Sequence, residues 1–266
     1  MSRPVAPPAA EPDTPAASVS AAPAAEPETA AAGLGAPAPQ PRPADPALEL
    51  PAERRLRVHE IFYSLQGEST FAGLPCVLVR LTGCQMRCRW CDTEYAFYEG
   101  SWMSLEQVLA EVAAFRCPLV EVTGGEPLLQ PGTPPLLAAL CDAGYEVLLE
   151  TGGGLDAGGV DPRVRRIVDV KCPGSGEAEN NCWANLDLLT ARDEVKFVLA
   201  GEADYRWARE VVERHRLAER CPVHFSPVHG ELEPADLAAW VLRDRLPVRV
   251  ALQLHKLLWG GETRGV

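Results

Sequence analysis

The stretch of sequence that decides the fold is LTGCQMRCRWCDTEY, residues 81–95. It contains three cysteines in the spacing C-x3-C-x2-C, namely Cys84, Cys88 and Cys91. A strand-like run, CVLVRLT at residues 76–82, leads into the loop, and Gly83 allows the backbone to turn there. Thiolates are soft ligands that suit iron–sulfur clusters or zinc, and a short loop lets several converge on one centre. The loop is therefore predicted to bind a metal centre.

The number of cysteines in this loop bears on the kind of metal centre. A structural zinc site takes four protein ligands, and a four-iron cluster held by four cysteines is coordinatively closed. Three cysteines without an obvious fourth partner leave one iron open to a substrate or cofactor. The spacing resembles the cluster loop of the radical S-adenosylmethionine (SAM) enzymes, in which the open iron chelates the methionine part of SAM. A zinc knuckle or a chance group of buried cysteines is the alternative.

Composition and charge limit the classes of protein that the chain can represent. Its 266 residues are enough for one domain of about 200 residues or for two small ones. The net charge of −12 argues against non-specific binding to nucleic acid or anionic lipid. No run of about 18 apolar residues occurs, so we expect no membrane span. Nine cysteines, an odd number without regular disulfide spacing, favour the reducing cytoplasm.

The first part of the chain differs sharply in composition from the rest. Residues 1–50 contain 16 alanines and 12 prolines and no aromatic residue. Such a segment cannot bury enough apolar surface to offset its conformational entropy. It also lacks the basic start and apolar core of a signal peptide. We therefore predict a disordered Pro/Ala-rich tail at residues 1–52. The resemblance implies that residues 53–266 form a single radical SAM partial barrel domain.

From residue 54 onward, short apolar strands alternate with helices. Strands are predicted at residues 58–64, 76–82, 119–123, 146–150, 167–171, 194–199, 223–227 and 248–254. Helices are predicted from a capping box at residues 104–107 to about residue 115, at 134–143, from 200 to about 215, and at 234–243. This alternation predicts an α/β fold with a parallel sheet. Because the strands that look parallel are too few for a full eight-stranded barrel, we expect a partial barrel. The resemblance implies the (β/α)6-type barrel of radical SAM enzymes.

Polar motifs follow five of the predicted strands. They are TGGE at residues 123–126, ETGG at 150–153, DVK at 169–171, SPVH at 226–229 and QLHK at 253–256. Active sites of parallel barrels are built from loops at the carboxyl ends of the strands, so these motifs are expected to share one site. The sequence TGGEP at residues 123–127 also resembles the GGEP motif with which radical SAM enzymes bind the amino group of SAM. An ordinary strand-to-helix turn is the alternative.

Further motifs narrow the resemblance to one family of ring-contracting radical SAM enzymes. They are FYSLQGES at residues 62–69, CDT at 91–93, DVKCPGS at 169–175, NLDL at 185–188, DEVKF at 193–197 and QLHK at 253–256. Members of that family convert 6-carboxy-5,6,7,8-tetrahydropterin to 7-carboxy-7-deazaguanine with loss of ammonia, on the route to queuosine and other 7-deazapurines. The resemblance implies a carbon–nitrogen lyase that depends on SAM, on one [4Fe-4S] cluster per subunit and on Mg²⁺.

The resemblance also implies roles for individual residues. The cluster ligands are Cys84, Cys88 and Cys91, and the hydroxyl of Thr93 binds magnesium. The SAM contacts are Trp90, Cys91, Asp92, Gly125, Glu126, Pro173, Gly174 and Ser175. The pterin contacts are Leu65, Gln66, Gly67, Glu68, Arg80, Thr123 and His255. No side chain is assigned as catalytic, because SAM carries the radical.

Two of the pterin contacts have a structural alternative. Arg80 lies near the end of a mostly apolar strand, where its guanidinium would pair bidentately with the substrate carboxylate. A structural ion pair is its alternative role. His255 is predicted at the end of the last strand, either as a substrate contact or as a satisfied structural group. Residues 260–266 match no motif of the family.

The resemblance implies partners as well. These are a small-molecule pterin substrate, an electron donor such as flavodoxin and a second copy of the chain in a homodimer, without nucleic acid or membrane. Two other functions stay open, a glycyl-radical activase and a non-enzymatic zinc or iron–sulfur binding module. The LQGE and DVKCPGS motifs argue against the activase, and the binding module leaves the GGEP motif unexplained.

Overall fold

The computed structural model describes residues 46–261 and 263–265, which form one mixed sheet with helices against it. The strands are β1 (Arg55–Leu65), β2 (Pro75–Leu81), β3 (Ser101–Ser104), β4 (Leu119–Gly124), β5 (Glu146–Thr151), β6 (Arg165–Asp169), β7 (Glu194–Leu199), β8 (Val223–Pro227) and β9 (Arg249–Val250). The helices are α1 (Leu105–Ala114), α2 (Thr133–Asp142), α3 (Glu202–Arg214), α4 (Pro234–Asp244) and α5 (Leu254–Trp259). Within residues 46–261, no helix is long and apolar enough to cross a membrane.

The strand order of the sheet is β3-β1-β2-β4-β5-β6-β7-β8-β9. The strands β1 and β2 are antiparallel, as are β1 and β3, whereas every pairing from β2 to β9 is parallel. Among the described residues, β3 and β9 each pair on one side only, so the sheet stays open. This architecture confirms the predicted α/β fold with a partial barrel.

The hydrophobic core lies between the sheet and the helices. Side chains alternate across a strand, so one set of residues faces the helices and the other faces the concave side. In β4, Val120 and Val122 pack in the core with Val108 of α1 and Leu136 of α2. A second cluster unites β6, β7 and β8 with α3 and α4. The concave side of the sheet is therefore free to carry polar side chains.

A loop after β1, residues 66–70, crosses this concave side, and we call it the crossing loop. The Gln66 amide nitrogen donates to the carboxylate of Glu121 on β4 at 2.9 Å. The backbone N–H of Thr70 donates to the carboxylate of Glu194 on β7, also at 2.9 Å. These two bonds connect residues 55 and 124 positions apart in the sequence. These bonds therefore fix the crossing loop against β4 and β7.

The last predicted strand, residues 248–254, is wrong over most of its length. Only Arg249 and Val250 pair with β8, after which the chain turns into α5. Val250 and Leu252 are 36% and 37% exposed, so the alternating pattern here belongs to an uncovered edge rather than to a buried strand. The backbone N–H of Leu254 donates to the carbonyl of Gly67 at 3.0 Å, which draws the chain across the concave side. His255 and Lys256 consequently lie on a helix, not at a strand end.

Other differences from the sequence prediction are small. The strand β3 was not predicted, because its four residues run directly into the N-cap of α1. The predicted capping box is confirmed, since the Ser104 hydroxyl accepts from the Gln107 N–H and the Gln107 side chain accepts from the Ser104 N–H. The strand predicted at residues 167–171 begins and ends two residues earlier, at Arg165–Asp169.

The predicted disordered tail, residues 1–52, lies almost entirely outside the described residues and stays a prediction. Its last residues are described, and they include a 3-10 turn at Pro46–Glu49. A second turn, Ala52–Arg54, leads directly into β1.

Candidate active site

One cavity of about 630 Å³ opens at the carboxyl ends of the parallel strands. It contains all but four of the residues to which the resemblance assigns a role. The assigned residues that line it are Leu65, Gln66, Gly67, Glu68, Arg80, Cys84, Cys88, Trp90, Cys91, Asp92, Thr93, Thr123, Gly125 and His255. The four that do not line it are Glu126, Pro173, Gly174 and Ser175. Motifs that are far apart in sequence therefore meet in one place, as the strand-end argument predicts.

The cysteine loop is held in a compact turn beside this cavity. Gly83 has a φ of +99°, a conformation that residues with a side chain rarely adopt. The N–H of Met86 donates to Cys84 Sγ at 3.4 Å, and the N–H of Cys91 donates to the carbonyl of Cys88 at 3.1 Å. Burial raises the pKa of the Cys88 thiol to about 11 and also raises the pKa of Cys84. These thiols ionise when a metal centre binds them.

The donor set of the loop fits an iron–sulfur cluster. Each thiolate of such a cluster binds its own iron, so the three sulfurs need not converge on a single point. Within the described residues, no three His, Cys, Asp or Glu side chains lie close enough to hold one metal ion. The three thiols instead border one cavity, which leaves space for a cluster and for a ligand on its open iron.

The Gly-Gly pair at the end of β4 packs directly against the cysteine loop. A Cβ on Gly125 would lie 2.3 Å from the carbonyl oxygen of Gly83 and 2.8 Å from Cys84 Cβ. The N–H groups of Gly125 and Glu126 donate to the carbonyls of Leu81 and Gly83, at 3.2 and 2.8 Å. The glycines are therefore required because two strand ends approach closely, and the turn supports the cluster loop from behind.

Glu126 is 1% exposed and does not line the cavity. Its carboxylate accepts from the Thr151 hydroxyl at 2.8 Å, from the Gly152 N–H at 2.8 Å and from the Leu128 N–H at 3.0 Å. Burial nevertheless raises its pKa. The structure thus shows Glu126 joining the ends of β4 and β5, and its predicted contact with SAM stays a prediction.

The turn Pro173–Ser175 after β6 is hydrogen-bonded to the cysteine loop. The carbonyl of Ser175 accepts from the N–H of Arg89 at 3.0 Å, and the N–H of Gly174 donates to the Asp204 carboxylate at 2.8 Å. The turn therefore fixes the part of the loop between Cys88 and Cys91. Its predicted SAM contact also stays a prediction.

Sequence reasoning expected Glu68, Glu150 and Asp169 at one site but missed the lysine that pairs with all three. Lys196 on β7 is 6% exposed. Its ammonium is 2.8 Å from the Glu68 carboxylate and 3.7 Å from that of Asp169, and it also pairs with Glu150. Burial lowers the pKa of Lys196, but the three carboxylates outweigh burial and hold it well above its usual value. The available signals were charged residues within largely apolar strands, Lys196 in β7 and Glu150 in β5.

Arg80 takes the structural role that the sequence left open as an alternative. Its Nε donates to the Glu60 carboxylate at 2.8 Å, and Tyr95 donates to the same oxygen at 3.3 Å. The guanidinium carbon is 5.7 Å from the ring centre of Phe62 and also faces the ring of Tyr95. The side chain still borders the cavity, so the ion pair does not remove Arg80 from the site.

Helix α5 closes one side of the cavity. Lys256 Nζ pairs with the Asp92 carboxylate at 2.7 Å, and Gln253 donates to Glu68 at 2.9 Å. Burial raises the pKa of Asp92, but Lys256 outweighs burial and lowers it to about 2. A Cβ on Gly67 would lie 2.8 Å from His255 Nδ1, so glycine permits this close packing. The last residues to line the cavity are Gly261, Thr263, Arg264 and Gly265.

The fold and this site define the class of protein. The sequence profile of the Radical SAM superfamily matches residues 78–231, more than half of the 266 residues. The chain is 54% identical over 217 residues to a 7-carboxy-7-deazaguanine synthase from Chlorobaculum tepidum, covering 80% of this chain and 99% of that relative. It is 46% identical over 226 residues to a 7-carboxy-7-deazaguanine synthase from Koribacter versatilis, covering 79% of this chain and all of the relative. The chain therefore belongs to the 7-carboxy-7-deazaguanine synthase family of radical SAM enzymes.

A solved structure supports the fold. The crystal structure of QueE from Escherichia coli matches with a TM-score of 0.63 and 23% sequence identity, over 76% of this chain and 95% of that one. Membership of the superfamily implies a [4Fe-4S] cluster and SAM as cofactors. The resemblance inferred from the motifs is thereby confirmed, whereas the individual site residues stay predictions.

Proposed function

We propose that this chain catalyses the ring contraction of 6-carboxy-5,6,7,8-tetrahydropterin to 7-carboxy-7-deazaguanine with loss of ammonia, in 7-deazapurine and queuosine biosynthesis. One observation carries the proposal. One cavity borders three thiols, and its floor has three carboxylates around Lys196, one of which, Glu68, belongs to the crossing loop. A pterin needs such a floor, because one edge of its ring is rich in hydrogen-bond donors.

The floor has acceptors to spare for a ligand. Lys196 pairs with Glu68, Glu150 and Asp169, so the three carboxylates exceed the one ammonium among them. Lys171 adds a second cation, at 2.9 Å from Asp169. The other oxygen of that carboxylate, Asp169 Oδ1, is buried without a hydrogen-bond partner in the described part of the chain. The three carboxylates of the floor line the cavity and outnumber the two lysines of the floor, which supports a bound ligand with N–H or O–H groups.

The substrate carboxylate is proposed to meet Arg80. A guanidinium has five N–H donors, and Arg80 uses only its Nε in the ion pair with Glu60. Its terminal nitrogens are free of hydrogen bonds to other described residues, and the side chain borders the cavity. The ion pair with Glu60 then orients the guanidinium for the substrate rather than competing with it.

The cofactors are proposed to bind at the thiol wall, with Cys84, Cys88 and Cys91 holding the cluster. Trp90, Asp92 and Gly125 border the same space and are the proposed SAM contacts. When bound, the cluster and SAM supply the hydrogen-atom abstraction that starts the reaction. The protein orients the pterin against them and excludes water, for which helix α5 and the C-terminal residues of the cavity are suited.

A magnesium ion is proposed beside Thr93. The Thr93 hydroxyl borders the cavity and lies 3.7 Å from Cys91 Sγ. Magnesium prefers oxygen ligands and usually takes part of its shell from substrate and water. One protein hydroxyl together with the substrate carboxylate and water is consistent with that preference.

An electron donor such as flavodoxin and a homodimer complete the proposal. Gln85, Arg87 and Arg89 of the cysteine loop are exposed, which supports approach of a reductant to the cluster. Leu257, Leu258 and Trp259 of α5 are 62%, 52% and 41% exposed, which supports a further protein contact at that helix. All nine cysteines are free, as expected in a reducing compartment such as the cytoplasm.

The test is turnover by anaerobically reconstituted protein with SAM, magnesium, dithionite and 6-carboxy-5,6,7,8-tetrahydropterin. We expect 7-carboxy-7-deazaguanine by mass spectrometry, and its loss in Cys84→Ala, Cys88→Ala and Cys91→Ala. Cys141→Ala is the control, because Cys141 is free, lies on α2 and does not line the cavity. SAM cleavage without this product would show a radical SAM enzyme with a different substrate. An intact cluster that never cleaves SAM would favour the binding module.

A further inference from the structure

Glu121 is a buried acid that no motif or proposed role explains. It lies in the middle of β4, between Val120 and Val122, whose side chains pack in the hydrophobic core. Because side chains alternate along a strand, Glu121 points to the opposite, concave side. It is 2% exposed and lines the cavity. Burying an acid at this position costs free energy unless the group is hydrogen-bonded, paired or protonated.

The partner of Glu121 is the side-chain amide of Gln66. Gln66 Nε2 donates to Glu121 Oε2 at 2.9 Å. Gln66 Oε1 accepts from the backbone N–H groups of Glu68 at 2.9 Å and of Ser69 at 3.0 Å. Turning the amide over would set its NH₂ against two donors, so only one orientation satisfies all three bonds. Glu121 thus fixes Gln66, and Gln66 fixes the crossing loop that carries Glu68.

The second oxygen of Glu121 is available to a ligand. Oε1 makes no hydrogen bond to another residue in the described ranges, whereas Oε2 accepts from Gln66. Burial, with the carboxylates of Glu150 and Glu68, raises the pKa of Glu121 to about 8, although the Gln66 amide and Lys196 oppose this. The thiol of Cys76 on β2 is a further titratable neighbour of Glu121. At neutral pH the side chain is therefore mainly a carboxylic acid, and its proton belongs on Oε1.

We propose that Glu121 is a specificity-determining residue, which holds Gln66 through Oε2 and donates a hydrogen bond from Oε1 to an acceptor atom of the bound heterocycle. This inference rests on the proposed function. A pterin ring presents a carbonyl oxygen next to N–H donors on one edge. Glu68, Glu150 and Asp169 accept hydrogen bonds, and Glu121 contributes the complementary donor. The cavity then distinguishes an amino-oxo heterocycle from one with donors alone.

The inference has a pH signature. Above pH 8, Glu121 loses its proton and with it the donor, and a further negative charge enters beside Glu150 and Glu68. Affinity for the pterin should fall, by about tenfold at one pH unit above the pKa if the ionised form does not bind. In Glu121→Gln, the amide oxygen accepts from Gln66 and the NH₂ donates into the cavity at every pH. Glu121→Met has a similar size but neither function.

The test is anaerobic equilibrium dialysis of 6-carboxy-5,6,7,8-tetrahydropterin with the reconstituted, unreduced holoprotein between pH 7 and pH 9. We expect the affinity of wild type to fall across this range. Glu121→Gln should bind within about threefold of wild type at pH 7 and show no such fall. Glu121→Met should bind, at every pH, about tenfold more weakly than wild type does at pH 7. Glu210→Gln makes the same substitution on an exposed part of α3 and should behave as wild type. Iron content and thermal unfolding report whether each variant is folded.

Two results would overturn the inference alone, provided that wild type binds the carboxypterin and turns it over. One is a Glu121→Gln variant with the same pH dependence as wild type. The other is a folded Glu121→Met variant that binds as tightly as wild type. Failure of wild type both to bind and to convert the carboxypterin would instead overturn the proposed function, and the inference with it.

Discussion

At the scale of single residues, Lys196 compensates the buried carboxylates on the floor of the cavity. Its ammonium is buried with Glu68, Glu150 and Asp169 as neighbours. Removing one partner from a buried ionic group costs far more than removing a surface pair, because the remaining charges lose their compensation.

Substituting Lys196→Met should therefore lower the free energy of unfolding by about 3–5 kcal/mol. Urea unfolding of the purified apoprotein measures the change. Arg206→Met is the matched control, since its pair with Glu202 is an exposed i,i+4 contact on α3 worth below about 1 kcal/mol. A Lys196→Met protein as stable as wild type would show that the carboxylates protonate or rearrange at little cost.

At the residue scale, sequence reasoning found most of the cavity but not its internal pairing. The three cysteines and the GGEP motif carry local spacing, so they could be recognised. Glu121 could not, because one acid in a six-residue strand, LVEVTG, gives no sign of which face it occupies relative to a loop 55 residues away. Glu126 shows the reverse case, in which a recognised motif residue joins two strand ends and does not border the cavity.

At the scale of elements, the end of β4 and the cysteine loop form one unit. The N–H groups of Gly125 and Glu126 bind the carbonyls that begin the loop, and no side chain fits between them. The arrangement makes the geometry of the cluster ligands depend on a neighbouring strand.

Gly125→Ala should consequently reduce cluster assembly. The added Cβ would meet the backbone of Gly83 at 2.3 Å, so the cysteine loop must move. We expect iron and sulfide content after reconstitution to fall at least severalfold. Gly159→Ala is the control, because nothing lies within 4 Å of its Cβ position. Full cluster loading in Gly125→Ala would contradict this interpretation of the motif.

The prediction of elements succeeded where the pattern reflects burial on both faces. Strands β7 and β8 have the predicted bounds, since their residues are almost entirely buried. The predicted C-terminal strand failed because β9 is an edge strand, where alternation continues without a partner to complete it. The turn of the chain into α5 depends on Gly67, which is 187 positions earlier than Leu254, and no local signal indicates it.

At the scale of the whole molecule, an open parallel sheet separates apolar packing from polar chemistry. Two core clusters lie between the sheet and the helices, so the concave side carries the charged groups. Alternating strands and helices predicted this architecture, because the carboxyl ends of parallel strands share one edge. The crossing loop could not be predicted, since it depends on contacts with β4 and β7 that form only in the folded chain.

The stoichiometry of a single reaction tests the central claim most directly. Reconstituted protein is supplied with 6-carboxy-5,6,7,8-tetrahydropterin, SAM, magnesium and reductant, and the pterin, the deazapurine, ammonia and SAM are quantified together. We predict one ammonia for each 7-carboxy-7-deazaguanine formed, with SAM regenerated and therefore not consumed in proportion. Consumption of SAM to 5′-deoxyadenosine while the carboxypterin stays unchanged would contradict the account.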